Sequence, residues 1–411
     1  AAEEIATKAD IINLPKIELD AEHKLVRHTL VARLNVWKRS IDKDAAEYLH
    51  YGATTVDIWD TVLVLQIKDS IDLLINDLLE IEDYLLILTK DNLYTFMPGR
   101  TLGQHALPIT FGKKTSTWLA ENRRNIERLK HVQSKINKSG ILKGAVGSYL
   151  GLGDQAIETE SLMMQKLGLD EPSKDDWHGI RDVFAEYALT LAIISKSFGR
   201  IGNELTLLQM TEIGETEEYL GSKSIGSSTM PQKKNPDMAE LIRGGSSKTI
   251  ANLIGLLSLM KNLPLTYNRD LQEDKEYIFN SIDFTEDSLA LLSLVIDGME
   301  PNIEKMKHDC FTGQITATDL ADYLVEKNMP FRQAHEVVGK IVAHAESKDV
   351  QIFELDLSEL KKFSKIIEQD VAGYLNPEKT VLSRRQTGGT SPSQVRKEIN
   401  IAKRDLSKRK S

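Results

Sequence analysis

Residues 225–236 read Ile-Gly-Ser-Ser-Thr-Met-Pro-Gln-Lys-Lys-Asn-Pro, and we call them the signature segment. Glycine, two serines and a proline predict a hydrogen-bonding loop, and Pro236 suits the first position of a helix with Asn235 as its cap. The exposed backbone donors of such a helix start, together with Lys233, are suited to a carboxylate. A serine beside fixed cations can accept a proton from carbon if water is excluded. The same residues are also compatible with a surface loop whose lysines are solvated.

The signature segment lies in a chain dominated by long helical patterns. Apolar residues recur at intervals of three and four in five segments, at 61–88, 109–136, 180–213, 236–262 and 281–298. Most of these segments exceed the roughly 8–20 residues of ordinary globular helices. Strand signals are weak, and short glycine-bearing stretches separate the helices. The pattern predicts an all-α fold, a bundle of long helices in which some apolar faces serve subunit contacts.

We predict three regions along the chain. Residues 1–60 are the remainder of an N-terminal helical domain, 61–300 a central long-helix bundle, and 301–411 a small C-terminal helical domain. The chain begins Ala-Ala-Glu-Glu without a methionine, so we expect that the start of the first domain is missing. The tail at 403–411 is basic and is expected to fray.

Composition narrows the class of partner. The chain has 52 Lys and Arg against 61 Asp and Glu, a formal net charge of −9, which argues against nucleic acid. No run of about 18 apolar residues is present, which argues against a membrane span. The single cysteine, Cys310, excludes an internal disulfide framework and is typical of a reducing compartment. We therefore predict a cytoplasmic protein with a small-molecule partner, and neither nucleic acid nor membrane.

The signature segment fits the pattern Gly-Ser-Ser-x-Met-Pro-x-Lys-x-Asn-Pro and so resembles the signature of the aspartase/fumarase superfamily. Two further blocks follow the order of that family, at residues 50–55 and 99–106. The resemblance implies an almost all-helical subunit that forms a homotetramer around a twenty-helix core, with active sites shared by three subunits. It also implies an anti elimination that releases fumarate, or the related lactone chemistry. We expect no cofactor and no metal, since the nine histidines form no close pair at helical ligand spacing.

Carried over by position, the resemblance assigns a role to several residues. Proton removal next to a carboxylate makes a doubly charged intermediate, which needs a cation and several hydrogen-bond donors. Ser227 would be the base, while Lys233 and Asn235 would stabilise the intermediate. Glu240, one turn into the following helix, would orient the acid side. The residues implied to hold the substrate in the three blocks are Thr54, Thr55, Thr101, Gln104 and Ser228.

The general acid stays open, because Leu102 stands where many members of the superfamily carry a histidine. His28 follows Arg27 in a pair that resembles the Arg-His of adenylosuccinate lyases, so His28 is the first candidate and Arg27 a substrate contact. His105 is the second candidate, with a structural histidine satisfied by backbone as its alternative. A third interpretation is that a good leaving group needs no strong acid. His50 fits a structural role beside a glycine turn.

Different blocks resemble different lyases. Residues 228–243 and 263–275 are similar to argininosuccinate lyase, and the second run implies four substrate contacts, Tyr267, Arg269, Gln272 and Lys275. Val56 departs from that family, in which an asparagine at this position helps to hold the amino-acid end. Leu102 resembles carboxymuconate cycloisomerase-type enzymes instead. So do His178 and Arg181, which are therefore further candidate substrate contacts.

We accordingly predict a carbon–nitrogen lyase that releases fumarate from an N-succinyl-type substrate. It is expected to be argininosuccinate lyase-like, with an amino compound such as arginine as the second product. The alternatives are an adenylosuccinate lyase or a carboxymuconate cycloisomerase-like enzyme. A catalytically silent helical structural protein is the alternative from another class.

Overall fold

The computed structural model describes residues 1–174, 181–218, 227, 229–265 and 267–410. Sixteen α-helices and four short strands lie in this part of the chain. The helices are α1 Ala2–Thr7, α2 Lys16–Val26, α3 Thr29–Lys38, α4 Lys43–Ala46, α5 Thr55–Asp91, α6 Phe111–Ile136, α7 Ala156–Lys166, α8 Asp182–Leu208, α9 Asp237–Met260, α10 Asp274–Asp297, α11 Ile303–Asp309, α12 Ala317–Glu326, α13 Phe331–Ser347, α14 Leu357–Phe363, α15 Pro377–Ser383 and α16 Pro392–Lys410. The strands are β1 Phe96–Thr101, β2 Gln104–Thr110, β3 Thr216–Glu218 and β4 Met299–Pro301. The all-α prediction is confirmed.

The five predicted long segments correspond to α5, α6, α8, α9 and α10. In α5, which has 37 residues, the apolar positions at intervals of three and four are buried, with Ile67, Ile71, Leu78, Ile81 and Leu85 all at 0% exposure. Each such side chain contributes about 1.5–3 kcal/mol when it leaves water. An apolar stripe of this length explains why a helix of about 55 Å is stable.

The second block of the sequence folds as a β-hairpin rather than as a loop before a helix. β1 pairs antiparallel with β2, and Leu102 and Gly103 form the two-residue turn with φ of 54° and 79°. Positive φ at both central positions is the type I′ geometry that matches the twist of a hairpin. The helical pattern expected from residue 109 therefore begins only at Phe111. The sequence did not predict this strand because Pro98 and Gly99, which lie inside it, are both rare in strand interiors.

The chain divides into two compact units. The first comprises Ala1–Asp72, Lys130–Tyr187 and Gly255–Tyr277, and the second Leu73–Leu129, Ala188–Ile254 and Ile278–Ser411. Long helices such as α5 contribute residues to both units, so these boundaries differ from the three regions read from the sequence. The predicted regions remain a prediction.

The C-terminal tail is helical over its described residues, 403–410, where fraying was expected. In the second unit, α16 extends to Lys410, and the guanidinium of Arg409 lies 3.1 Å from the carboxylate of the fully buried Glu82. Arg123 lies 3.2 Å from the same carboxylate and 2.5 Å from Asp405 of α16. Burial raises the pKa of Glu82, and the two arginines oppose that shift. Arg409 and Asp405 thus tie the last turns of α16 to α5 and α6 through ion pairs.

Across the described ranges, no helix combines the length and the apolar character that a membrane crossing requires.

Candidate active site

The signature segment lies in the second unit, where Ser227 and residues 229–236 are described. The Ser227 hydroxyl oxygen accepts hydrogen bonds from the backbone N–H groups of Thr229, at 3.3 Å, and Met230, at 3.1 Å. The backbone N–H of Lys233 donates to the carbonyl of Met230 at 3.0 Å, and that of Ser227 donates to the carbonyl of Lys233 at 3.5 Å. The segment thus turns back on itself around a half-buried serine oxygen that faces two backbone donors. Ser228, predicted to bind substrate, lies outside the described residues.

The two adjacent lysines of the segment have different surroundings. The Lys234 ammonium forms an ion pair of 2.5 Å with Glu217 of β3. Lys233 is exposed and forms no ion pair with any residue in the described part of the chain. Its ammonium is therefore available to an anion. Lys233 lines a cavity of about 970 Å³ together with Asn235 and Glu240, and Glu240 also forms an ion pair of 3.0 Å with Arg243.

The helix after the segment begins one residue later than predicted. The carbonyl of Pro236 accepts the first helical hydrogen bond, from the N–H of Glu240 at 3.0 Å, and α9 starts at Asp237. Pro236 is therefore the cap residue, and Asn235 precedes the helix. A side chain from outside the helix serves as acceptor instead. The carboxylate of Glu218 in β3 accepts from the N–H of Ala239 at 3.0 Å and lies close to that of Met238.

The hairpin places Thr101 and Gln104 opposite one another at its tip, where both are exposed. One residue before this tip, the Arg100 guanidinium donates to both carboxylate oxygens of the fully buried Glu215 at 2.7 Å each. Glu215 directly precedes β3. The hairpin is therefore tied to the strand that leads toward the signature segment. Leu102, in place of the usual histidine, is completely exposed at the tip.

His105, the second candidate for the general acid, is engaged at both ring nitrogens. Arg100 lies 3.2 Å from Nε2, and because a guanidinium can only donate, Nε2 must be the acceptor. The ring proton is then on Nδ1, which donates to the Thr312 hydroxyl at 3.3 Å. Burial and the charge of Arg100 lower the pKa of His105. A neutral histidine with both nitrogens bonded is better suited to holding the hairpin than to giving up a proton.

The first block lies in the first unit, at the start of α5. The buried carboxylate of Asp57 accepts from the N–H groups of Thr54 at 2.8 Å, Lys143 at 3.0 Å and Gly144 at 3.0 Å. Asp57 thus joins the turn that carries Thr54 and Thr55 to a second loop. Sequence reasoning missed this residue, although Thr54-x-x-Asp57 is the spacing of a capping box. Val56 is buried at 5% exposure, so its side chain is part of the core.

The histidines of the first unit differ in accessibility. His28 is exposed and caps α3, with its Nδ1 accepting from the N–H of Val31 at 3.4 Å. Arg27, also exposed, ends α2 in the left-handed conformation at φ 53°. His50 has φ 65°, and its buried Nε2 finds no hydrogen-bond partner among the residues that the structure describes. His28 is therefore the more accessible of the two rings, whereas His50 is held inside its turn.

Arg181 belongs to a buried charge cluster in the first unit. Its guanidinium donates to Asp60 at 2.8 and 3.0 Å and to Asp274 at 2.7 Å. Asp274 also pairs with the Lys275 ammonium at 2.5 Å. Burial raises the pKa of Asp60, and Arg181 opposes the shift. With 3% exposure and two carboxylate partners, Arg181 has the surroundings of a structural cation, and its role as a substrate contact stays a prediction.

The remaining predicted contacts also lie in the first unit. The Gln272 amide donates to the Tyr267 hydroxyl, and Lys275, half-buried, also donates to the carbonyl of Leu271 at 3.1 Å. Arg269 is exposed at the start of a short 3₁₀ turn. His178, predicted as a further contact, falls outside the described ranges.

Comparison with known proteins relates the chain to lyases in both sequence and fold. A family model described as lyase matches residues 1–250, and one described as argininosuccinate lyase C-terminal matches residues 314–382. An argininosuccinate lyase of Neisseria gonorrhoeae is 36% identical over 371 residues, which are 89% of this chain and 80% of the relative. A solved fumarate lyase from Mesorhizobium sp. BNC1 has a TM-score of 0.84 at 23% identity, covering 97% of this chain and 89% of that one. A 3-carboxy-cis,cis-muconate lactonizing enzyme from Pseudomonas putida has a TM-score of 0.83 at 24% identity, covering 95% and 86%. At these identities, the structural likeness concerns the fold.

Proposed function

The chain belongs to the aspartase/fumarase superfamily, close to argininosuccinate lyase, and from this premise we propose that it cleaves argininosuccinate to fumarate and arginine. The similarity to argininosuccinate lyases supports a lyase reaction that releases fumarate. The amino compound that leaves is the part of the proposal that needs an experiment. Val56 stands where the family's asparagine holds the amino-acid end, and its burial means that another group must take over that contact.

The surroundings of Ser227 are the observation that carries the proposal. Two backbone N–H groups point at its oxygen, so a negative charge on that oxygen is stabilised before any substrate binds. Lys233, exposed and without an ion pair in the described residues, supplies the cation that the doubly charged intermediate requires. In the proposed reaction Ser227 removes the proton next to the carboxylate. Lys233 and Asn235 then stabilise the intermediate, and the carbon–nitrogen bond breaks.

We assign the general acid to His28 rather than to His105. The Nδ1 atom of His28 accepts a backbone hydrogen bond, which leaves Nε2 to carry the proton that the leaving amine takes up. The exposure of its ring allows contact with a bound substrate. His105 is assigned a structural role, since Arg100 and Thr312 already bond both of its ring nitrogens. Glu240 is assigned to orient the groups on the side of the general acid, as the resemblance implies.

The substrate is tested by following the absorbance of fumarate. Argininosuccinate should give rising fumarate absorbance, and fumarate mixed with a panel of amines and amino acids should lose it when the correct amine is present. If adenylosuccinate or a carboxymuconate were consumed and argininosuccinate were not, the substrate proposal would be wrong while the lyase chemistry stood. If none of these substrates reacted, the alternative of a catalytically silent structural protein would be favoured.

We expect a homotetramer, because the helices of the second unit leave large apolar side chains uncovered. The single cysteine, Cys310, is typical of a reducing compartment, so we expect this assembly in the cytoplasm. Leu73 and Ile87 of α5 are 56% and 57% exposed, and Ile250 and Ile254 of α9 are 42% and 60% exposed. Residues four or fourteen positions apart lie on the same face of a helix, so each pair belongs to one apolar face that favours an interface. Light scattering should report four times the mass of one chain. Ile254→Lys should dissociate the assembly, whereas Ile401→Lys on α16, a similarly exposed site, should not. An active monomer would contradict this expectation.

Chelation is expected to leave activity unchanged. The reaction assigned here uses Lys233 and backbone donors where other enzymes use a metal ion to stabilise charge. Within the described ranges, no three His, Cys, Asp or Glu side chains are arranged to hold a metal. The measurement is the rate of fumarate release before and after exhaustive dialysis against a chelator. A loss of activity that added divalent metal restores would overturn this expectation.

A further inference from the structure

We propose that Glu218 is a positioning residue for the signature segment. From the end of β3, its carboxylate caps the N-terminus of α9 and so holds the backbone that carries Lys233 and Asn235. The inference rests on the proposed function for the role of that segment in the reaction, whereas the cap itself can be tested without any substrate.

The start of α9 needs an acceptor that its own sequence does not provide. The first N–H groups of a helix have no intrahelical partner, and a side chain at the cap position usually accepts one of them. Pro236 occupies that position and has no side-chain acceptor. Glu218 supplies the acceptor from another element: its carboxylate accepts from the N–H of Ala239 at 3.0 Å and lies close to the N–H of Met238. Its negative charge also lies at the positive end of the helix dipole, which adds to the stabilisation.

Glu218 is itself fixed in place. β3 pairs with β4 in an antiparallel register that sets Glu218 opposite Met299. The N–H of Glu218 donates to the side-chain oxygen of Gln209 at 3.1 Å. The side chain is half-buried, so the carboxylate has little freedom to leave the helix. The cap is therefore anchored in a rigid neighbour rather than in the signature segment.

A second contact, with α8, restricts movement of the start of α9 toward that helix. Gly202 of α8 faces the carbonyl of Ala239, and a Cβ atom at residue 202 would lie 2.5 Å from that oxygen. The backbones of the two helices thus approach closely beside the residue that Glu218 caps. Ala239 is completely buried at this contact. Cap and close approach together define where α9 begins.

The position of the start of α9 determines where the reacting groups of the signature segment lie. Asn235 precedes the cap residue, and Lys233 is joined through its backbone to both Met230 and Ser227. A shift of the helix start therefore moves the ammonium of Lys233 relative to the Ser227 oxygen. A misplacement of about 1 Å can lower a rate by about a hundredfold.

The test compares Glu218→Ala with Glu218→Gln in the full-length protein. The amide oxygen of glutamine can accept the same backbone hydrogen bonds, whereas alanine cannot. Glu300→Gln on β4 is the matched control, because Glu300 is exposed on the same small sheet, opposite Glu217. The readouts are kcat and KM for fumarate release, and hydrogen exchange at the amides of Met238 and Ala239.

For Glu218→Ala, we expect those two amides to exchange about fivefold faster or more, and kcat to fall about tenfold to a hundredfold with KM within about threefold. Glu218→Gln and Glu300→Gln should stay within about threefold of the parent protein. Unchanged exchange in Glu218→Ala would overturn the cap, and faster exchange with unchanged kcat would overturn the positioning role. A Glu218→Gln variant that keeps the two amides protected but is as slow as Glu218→Ala would overturn the positioning role, since the hydrogen bonds would then persist without restoring kcat. If the parent protein released no fumarate, the proposed function would fail, and exchange alone would decide the cap.

Discussion

Replacing Ser227 by alanine should lower turnover by several orders of magnitude while the substrate still binds. The substitution removes one oxygen, the atom assigned to take the proton from carbon. The backbone donors of Thr229 and Met230 are left without that acceptor, but both residues are exposed and water can replace it. The fold of the segment should therefore persist. What is lost is the base, so kcat should fall and KM should change little.

The measurement for Ser227→Ala is the rate of fumarate release at saturating substrate, with binding followed separately by calorimetry. Ser347→Ala serves as the control, because Ser347 is exposed on α13 and its hydroxyl donates to the carbonyl of His344 in its own helix. A fall of less than about tenfold corresponds to less than about 1.4 kcal/mol of barrier, which is too little for an essential base. Such a result would require a different proton acceptor and would remove Ser227 from the mechanism.

Local patterns explain which parts of the site could be predicted from the sequence. The turn around Ser227 and the availability of Lys233 depend on residues within a few positions of one another, so a contiguous motif contains the information. The Thr54-x-x-Asp57 spacing is equally local, although its second function of holding Lys143 and Gly144 is not. The long helices were predictable because one apolar stripe repeats over many turns.

Pairings between distant residues explain what could not be predicted. The local sequence makes His105 a candidate acid, whereas the folded chain places Thr312, 207 positions away, at its Nδ1. Glu218 lies 21 positions before the Ala239 N–H that it bonds, and nothing in either local sequence indicates the other. Each of these side chains has a role set by a partner that only the folded chain brings near. A motif can name the residue type needed for a reaction, but it cannot exclude that a neighbour already occupies it.

Arg181 is a case in which such a neighbour changes the expected phenotype. A substrate contact would, when removed, weaken binding and leave stability unaffected. Arg181 instead bonds Asp60 and Asp274, which are 5% and 0% exposed. The four charges of the cluster, including Lys275, sum to zero. Removing the arginine leaves one uncompensated negative charge inside the first unit.

We therefore expect Arg181→Met to destabilise the protein by about 3–5 kcal/mol, the usual penalty for breaking a buried ion pair from one side. The measurement is denaturant unfolding at a fixed protein concentration. Lys138→Met is the control, since Lys138 pairs with Glu171 at the surface, with side chains 51% and 36% exposed. That loss should be about 1 kcal/mol or less.

A double variant separates charge from packing. Asp60→Asn combined with Arg181→Met restores a net charge of zero and leaves the Asp274–Lys275 pair intact, so it should recover part of the lost stability.

The pH dependence of the stability of Arg181→Met has the same origin. Burial already raises the pKa of Asp60, and loss of Arg181 removes the stronger of the two cations that oppose the shift, leaving only the weaker effect of Lys275. A carboxyl group whose folded pKa is raised stabilises the fold below its unfolded pKa and loses that contribution as the pH rises. The deficit of Arg181→Met should therefore be largest at neutral pH and shrink as the pH falls toward the ordinary carboxyl range. A variant of unchanged stability, or a deficit that grows on acidification, would contradict the buried cluster and return Arg181 to the substrate.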